Sequence, residues 1–287
     1  MGIIFSVIAL LAWGVGDFLI QRSARKFGNW IAIFYITAFA SIALLPFVYK
    51  EILPLIWNEK GLMILLIASI FLTFASYFDF EGLRLGKISV IEPIFSLDIA
   101  VTAILSIFVI KENLSIEQIA LVVLIIISVF LVSTKSFQHL KNIKWEKGVF
   151  YAITATLLMG AVNFLFGVGA RDTSPLLINW FTSVFLAIVS FGFLLSKSQA
   201  KNIILDFKNN SKLILSVSVI DNLAWVAYAY ATLYIPIAIA TSISEVYIAI
   251  AVYLGLKINK EKIKTHQILG LLFAIIAAVV LSAITLE

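Results

Sequence analysis

The 287-residue chain contains no cysteine, two histidines, three methionines and five prolines, and charged residues make up 13% of it. Without cysteine there can be no disulfide, no thiolate metal site and no cysteine nucleophile. No His-Glu-x-x-His zinc motif and no Gly-x-Ser-x-Gly nucleophile motif occurs, and no serine has a histidine partner within an apolar stretch. The residues therefore give no catalytic site, no metal site and no bound cofactor to argue for, and the expectation is a protein that is not an enzyme. The scarcity of charge is matched by 62% apolar residues. Soluble domains hold about 45–50% apolar and about 25% charged residues, so the excess must face lipid.

The apolar residues fall into ten spans: 3–20, 29–49, 62–80, 88–110, 114–134, 148–167, 175–196, 212–233, 237–256 and 263–285. Each approaches the roughly 20 residues a transmembrane helix needs. Because every backbone polar group in lipid must be satisfied within its own segment, the expected fold is all-α and integral to the membrane. Span one has no basic stretch before it and leads directly into span two, so it reads as a retained helix rather than a cleaved signal.

Lys and Arg are absent from the interiors of the spans, and their distribution in the loops is lopsided. The odd-numbered loops carry 17 of the 21 basic residues; the even-numbered loops carry Lys50, Lys60, Lys111 and Arg171. Cytoplasmic loops collect Lys and Arg. The expected arrangement is a multi-pass protein of the cell membrane, with odd loops cytoplasmic and both termini outside. The net charge of +5 is explained by these topology signals, so nucleic acid is not an expected partner.

The chain also writes its plan twice. Shifted by 146 residues, the second half matches the first at Gly2/Gly148, Ala9/Ala155, Leu11/Leu157, Gly14/Gly160, Phe18/Phe164, Leu19/Leu165, Ala24/Ala170 and Arg25/Arg171. Shifted by 149, Lys111-Glu112 meets Lys260-Glu261 and Gln118-Ile119 meets Gln267-Ile268. These later matches lie at a turn, where apolar composition alone does not produce them. Residues 1–138 and 145–287 are therefore read as two five-span copies. Five is odd, so the second copy enters the membrane from the opposite side. Such inverted repeats build secondary transporters, whose substrate sites lie near the midplane where the copies meet.

Several phrases carry a family resemblance: Ala12-Trp13-Gly14 in span one, Glu92-Pro93 entering span four, and the turn Lys111-Glu112-Asn113-Leu114-Ser115 with Glu117-Gln118 opening span five. In these the chain resembles the EamA-type repeats of the drug/metabolite transporter superfamily. The second copy keeps Gly160, Lys260-Glu261, Gln267 and Gly270, and departs with Met159 at the Trp position and Ser242 at the Pro position. The resemblance covers nearly the whole chain and says nothing of the substrate. It implies two EamA-like repeats and a ten-helix carrier that moves small metabolites or drugs by alternating access.

The spans contain Asp17, Asp79, Glu92, Asp98, Asp221 and Glu245. An ionisable group at a helix centre costs roughly 2.5–3.5 kcal/mol on insertion scales, so each is a functional candidate. Phosphorylated solutes would need Arg or Lys within the cavity; an acidic interior suits a cation, the ammonium group of a zwitterion such as an amino acid, or a proton. Asp98, Asp221 and Glu245 lie deepest. Asp79 and Glu92 lie nearer span ends, with Glu81, Arg84 and Lys87 at hand for local pairing. Asp17 shares a helix face with Trp13, four residues away, and Asn163 occupies its position in the second copy.

In span eight, Asp221, Trp225 and Tyr228 follow i, i+4, i+7 spacing beside Asn222. A carboxylate next to aromatic rings can hold an organic cation. The expected function is a secondary transporter of an amino acid or similar zwitterionic or cationic solute, proton-coupled and exporting, with multidrug efflux of organic cations as the alternative. Glu112 and Glu261 read as acidic residues complementing the dipoles of the helices that follow them.

Overall fold

A computed structural model describes residues 1–86, 91, 94–95, 98–133, 148–247, 249–250, 253, 257 and 265–286. Among them are ten helices and no strand: α1 (Gly2–Phe27), α2 (Asn29–Trp57), α3 (Glu59–Leu85), α4 (Asp98–Val109), α5 (Ile116–Ser133), α6 (Val149–Asp172), α7 (Pro175–Ser196), α8 (Ala200–Tyr234), α9 (Ile237–Ser244) and α10 (Thr265–Leu286). Seven of these include a stretch long and apolar enough to cross a membrane: α1, α2, α3, α6, α7, α8 and residues 268–285 of α10. Side chains such as Phe47, Trp57, Phe108, Phe150 and Val279 lie on the outside of the bundle, more than half exposed. A soluble protein would bury them.

Helix ends follow local chemistry. Ser174 caps α7 by accepting from the Leu177 N–H at 3.0 Å, with Pro175 in the first turn. Asn58 caps α3 through the Gly61 N–H at 2.9 Å. Helix α8 starts earlier than span eight because it is two segments joined at Asn210, whose φ of −139° and ψ of 26° are not helical. The polar segment before Asn210 is followed by the apolar one, and Lys26 donates to the Asn210 side chain at the bend.

The dominant packing runs between the halves. The most extensive contacts are α1 with α8, α3 with α6, α2 with α7, and α5 with α10; α4 also meets α9. Every pairing maps onto itself, or onto another in the set, when the two halves are exchanged. The close approaches obey the same rule. A Cβ built on Gly160 would lie 2.5 Å from the Val101 Cβ, and one on Gly14 would lie 2.9 Å from Ile250. Gly14/Gly160 are mates in the 146 register, and Val101/Ile250 in the 149 register. Likewise Gly2 abuts Ile235 while Gly148 abuts Gly86. The halves thus form one core, an interlocked pair rather than two bundles in contact.

Polar contacts between elements sort onto two faces of this core. On one, Glu51 meets Ser174, Lys60 pairs with Asp172, and Glu112 meets Arg171. On the other, Arg25 donates to the Gly86 carbonyl and Arg84 pairs with Glu81, which also accepts from Asn29. The first face gathers the even-numbered connections, the second the odd-numbered ones.

Candidate substrate cavity

The carboxyl groups singled out above converge. One cavity between the halves is lined by Asp17, Asp79, Asp98, Asp221 and Glu245, with Asn163, Asn179 and Asn222, and with the rings of Trp13, Phe166, Trp225 and Tyr247. Among the described residues, no Lys, Arg or His lines it. Glu92 lies outside the described residues.

Asp98 opens α4 and is 3% exposed. Its Oδ2 accepts from the Asn163 amide at 3.0 Å. Its Oδ1 is buried and has no hydrogen-bond partner among the described residues. The position is fixed by backbone-level contacts: Thr102 on the next turn donates to the Gly160 carbonyl at 3.0 Å, and only a glycine at 160 lets α6 come that close. The buried side chains of Asp17 and Tyr247 are hydrogen-bonded to each other. These two bonds are repeat mates. Asp17 corresponds to Asn163 in the 146 register, and Tyr247 to Asp98 in the 149 register. The first half therefore supplies both acids at this junction and the second half both neutral partners, but the helix that carries the acid is exchanged: α4 in one case, α1 in the other.

The acidic junction is flanked by aromatic rings. Trp13 meets Trp225 edge-on with centroids 5.1 Å apart, and Phe166 lies 4.6 Å from Trp225. Asn222 ties α8 to α2, donating to the Ile36 carbonyl at 3.0 Å and to Ser218 at 2.7 Å. Glu245 is 4% exposed and follows the last residue of α9. The backbone there tightens, with i→i−3 bonds from Val246 to Ile243 and from Ala249 to Val246.

Two expectations need correction, those for Tyr228 and Glu112, while Asp79, a candidate with local pairing as its alternative, lines the cavity. Tyr228 shares the direction of Asp221 and Trp225 but does not line the cavity. It is fully buried, donates to the Asn163 carbonyl at 3.0 Å and bonds the Thr241 hydroxyl at 2.8 Å. It thereby supports the Asn163 segment from behind. Asp79 is not engaged by Arg84, whose guanidinium goes to Glu81 three residues before it, so Asp79 faces the cavity. Glu112 does not serve its own helix: its carboxylate accepts from the N–H groups of Ile237 and Ala238, the first two residues of α9, at 2.8 and 3.3 Å.

The walls contributed by α2 and α7 escaped the sequence reading. Thr37, Asn179, Thr182 and Ser183 face the cavity. Several satisfy themselves on their own helix: Thr37 bonds the Ile33 carbonyl, Thr182 that of Ile178, and Asn179 that of Pro175. Their only sequence signal was small polar residues recurring within otherwise apolar spans.

Apolar helices long enough to span a bilayer, interlocked halves and an ionisable cavity at their junction define the class as a membrane carrier. The EamA-like transporter family model matches residues 1–134 and again 146–283; the chain belongs to that family, and so to the drug/metabolite transporter superfamily. An uncharacterized protein of Methanocaldococcus jannaschii is 30% identical over 133 residues, 46% of this chain and 95% of that protein. That relative has the length of one half, as expected if one half can exist as a unit. A solved crystal structure shares the fold, with a TM-score of 0.69 over 100% of this chain and 99% of the other at 10% identity.

Proposed function

We propose that the chain is a ten-span secondary transporter of inverted-repeat design. It exports a small solute bearing an ammonium or other cationic group, a metabolite such as an amino acid or an amine, in exchange for protons. The observation that carries this reading is the cavity itself, where five carboxyl groups face no Lys, Arg or His among the described residues. Neutralising such a site takes a cation, and a proton and a cationic solute can compete for it. That competition is what obliges exchange by alternating access. Across a cell membrane the proton gradient runs inward, so exchange drives the solute out.

Roles divide between the two ends of the junction. Asp17, Asp221 and the Trp13–Trp225 pair offer charge beside ring faces and edges, the arrangement that holds an organic cation. Asp98, held by one oxygen and open at the other, is the coupling acid. Among the described residues no cationic side chain lines the cavity to meet a solute carboxylate, which favours an amine over an amino acid. The aromatic wall supports a second reading, efflux of bulkier aromatic cations.

Two experiments bear on this. In proteoliposomes with a pH gradient, a panel of amines, aromatic monocations, amino acids and sugar phosphates should give pH-driven flux for cationic members and none for sugar phosphates. Flux that ignores the gradient, or that favours an anionic solute, would falsify the proposal. For orientation, the proposal places the cluster of 17 basic residues in the cytoplasm and both termini outside. A reporter fused at Glu287 should read as extracytoplasmic, and a cytoplasmic signal would reverse the orientation.

A further inference from the structure

Helix α8 bends where it reaches the odd-loop face. On a straight helix, residue 203 would lie about 16 Å beyond residue 214. The non-helical backbone of Asn210 turns residues 200–209 aside instead, and Ile203 packs against the same small apolar cluster as Ile214, formed with Ile31, Tyr35 and Leu194. The Tyr35 hydroxyl donates to the Ile203 carbonyl, the Phe207 ring lies 6.3 Å from the Tyr35 ring, and Lys26 donates to the Asn210 side chain at the bend.

That cluster sits in a layer of aromatic rings near the odd-loop ends of α2, α3 and α7. Trp30 stacks on Phe193 at 4.5 Å and on Tyr77 at 5.4 Å, and Phe34 lies 5.6 Å from Phe191. Trp and Tyr gather where a membrane meets water, which sets residues 200–209 at the level of the lipid headgroups. Two faces follow from i, i+4 spacing. Ile203 and Phe207 turn toward Tyr35. Lys201 with Leu205, and Ile204 with Lys208, fall on the outward side; all four are exposed, Ile204 and Leu205 by more than half.

The charge on this face is of one sign. Among the described residues neither Lys201 nor Lys208 has an ion-pair partner, and the exposed Lys197 and Lys212 flank the segment. Its single acid, Asp206, lies within electrostatic range of the Tyr35 hydroxyl, on the inward side. We propose that residues 200–209 are an interfacial helix that docks on the headgroups of anionic phospholipids in the leaflet on the odd-loop side. Lysine stems lie along apolar surface and carry their ammonium groups to phosphate, while Ile204 and Leu205 enter the boundary between headgroups and acyl chains.

A free phosphate would have no use for the two aliphatic side chains between the lysines, and a soluble partner would have to reach down to headgroup level; an anionic lipid surface fits both halves of the face. The docking depends on membrane residence alone, not on the solute or its coupling. It bears on the cavity all the same, because α8 continues past the bend to Asp221 and Trp225, and a docked segment fixes the end of that helix.

Because the chain is free of cysteine, Leu205→Cys gives a single site for a fluorophore. The labelled protein is reconstituted in vesicles of equal parts phosphatidylcholine and phosphatidylglycerol, with a small share of one lipid or the other carrying a spin-label quencher. Spin-labelled phosphatidylglycerol should quench about fivefold more effectively than spin-labelled phosphatidylcholine, the factor that one lysine at a charged surface supplies. High salt should erase the difference, and so should Lys201→Gln combined with Lys208→Gln, whose melting curve in detergent should match that of the parent. A fluorophore at Trp57→Cys, exposed on the even-loop face, should show no such preference. Equal quenching by the two lipids at position 205, quenching by neither, an equal preference at position 57, or a preference that survives high salt would overturn the docking. A wrong solute class would leave every one of these readings untouched.

Discussion

Asp98→Asn should lower pH-driven solute flux by about 100-fold, toward the upper end of what coupling between two bound ligands usually supplies, while exchange of solute for solute falls by no more than about threefold. The argument starts from geometry. Asn163 donates to one oxygen of Asp98, and the other is buried without a partner among the described residues. An amide placed there keeps the volume and can still accept from Asn163 through its oxygen. It cannot bind or release a proton. If Asp98 is the coupling acid, the solute still binds between Asp17, Asp221 and the tryptophans, and the carrier can still exchange one solute for another, but the gradient no longer drives it.

Asp221→Asn makes the contrast. Asp221 lines the same cavity as the aromatic pair, so the variant should weaken solute binding and lower both modes of flux together. Flux measured in both modes for both variants checks the assignment. Full pH-driven flux in Asp98→Asn would remove Asp98 from the mechanism.

Gly160→Ala should destabilise the protein by about 3 kcal/mol, the upper end of the overpacking range. In a domain of this size class a loss of 1 kcal/mol shifts the melting temperature by about 2–4 °C, so a drop of about 6–12 °C is expected. The new methyl would lie 2.5 Å from the Val101 Cβ and 2.8 Å from the Asp98 carbonyl oxygen. Backbone cannot swing aside as the tip of a side chain can. Relief must come from moving α4 off α6, which also disturbs the Asp98–Asn163 bond.

Gly192→Ala is the control. Nothing lies within 4 Å of its built Cβ, and replacing a helical glycine there should stabilise by about 0.5–1 kcal/mol. Gly14→Ala, facing the Ile250 side chain at 2.9 Å, should fall between. Melting curves in detergent read all three. Equal loss at 160 and 192 would mean the close approach of α4 and α6 does not matter.

Much of this architecture was legible in the sequence because lipid imposes a simple rule, that segments crossing it stay apolar and their connections do not. The ends of α7 were read to the residue, since Ser174-Pro175 is a helix start written locally. The two registers were visible, and with them which residues are mates. What mates with what across the halves was not. Glu112 sits three residues before Ser115, which opens a helix of its own, and sequence proximity argues for that helix. Its true partners, Arg171 and the start of α9, are near only once the halves interlock.

Tyr228 failed for a different reason. Helical spacing gives direction around the axis, but whether that direction meets open space or a neighbouring backbone depends on the helix opposite. The cavity acids were legible because charge in a membrane helix has few other uses. The hydroxyl and amide walls of α2 and α7 were not, because such groups can satisfy themselves on their own helix.

The exchanged acid at the cavity junction has a consequence for the resting preference of the carrier. If both halves carried the same acid and the same partner at the junction, exchange of the halves would convert one access state into the other with no change in the polar groups that meet there. Inward- and outward-facing forms would then be degenerate at this junction. Asp98 with Asn163 at one end, and Asp17 with Tyr247 at the other, removes that degeneracy. An amide partner and a phenol partner hold an acid differently, so gaining or losing one proton need not weigh equally on the two forms. Asymmetry at two residue pairs is enough to give a symmetric scaffold a direction.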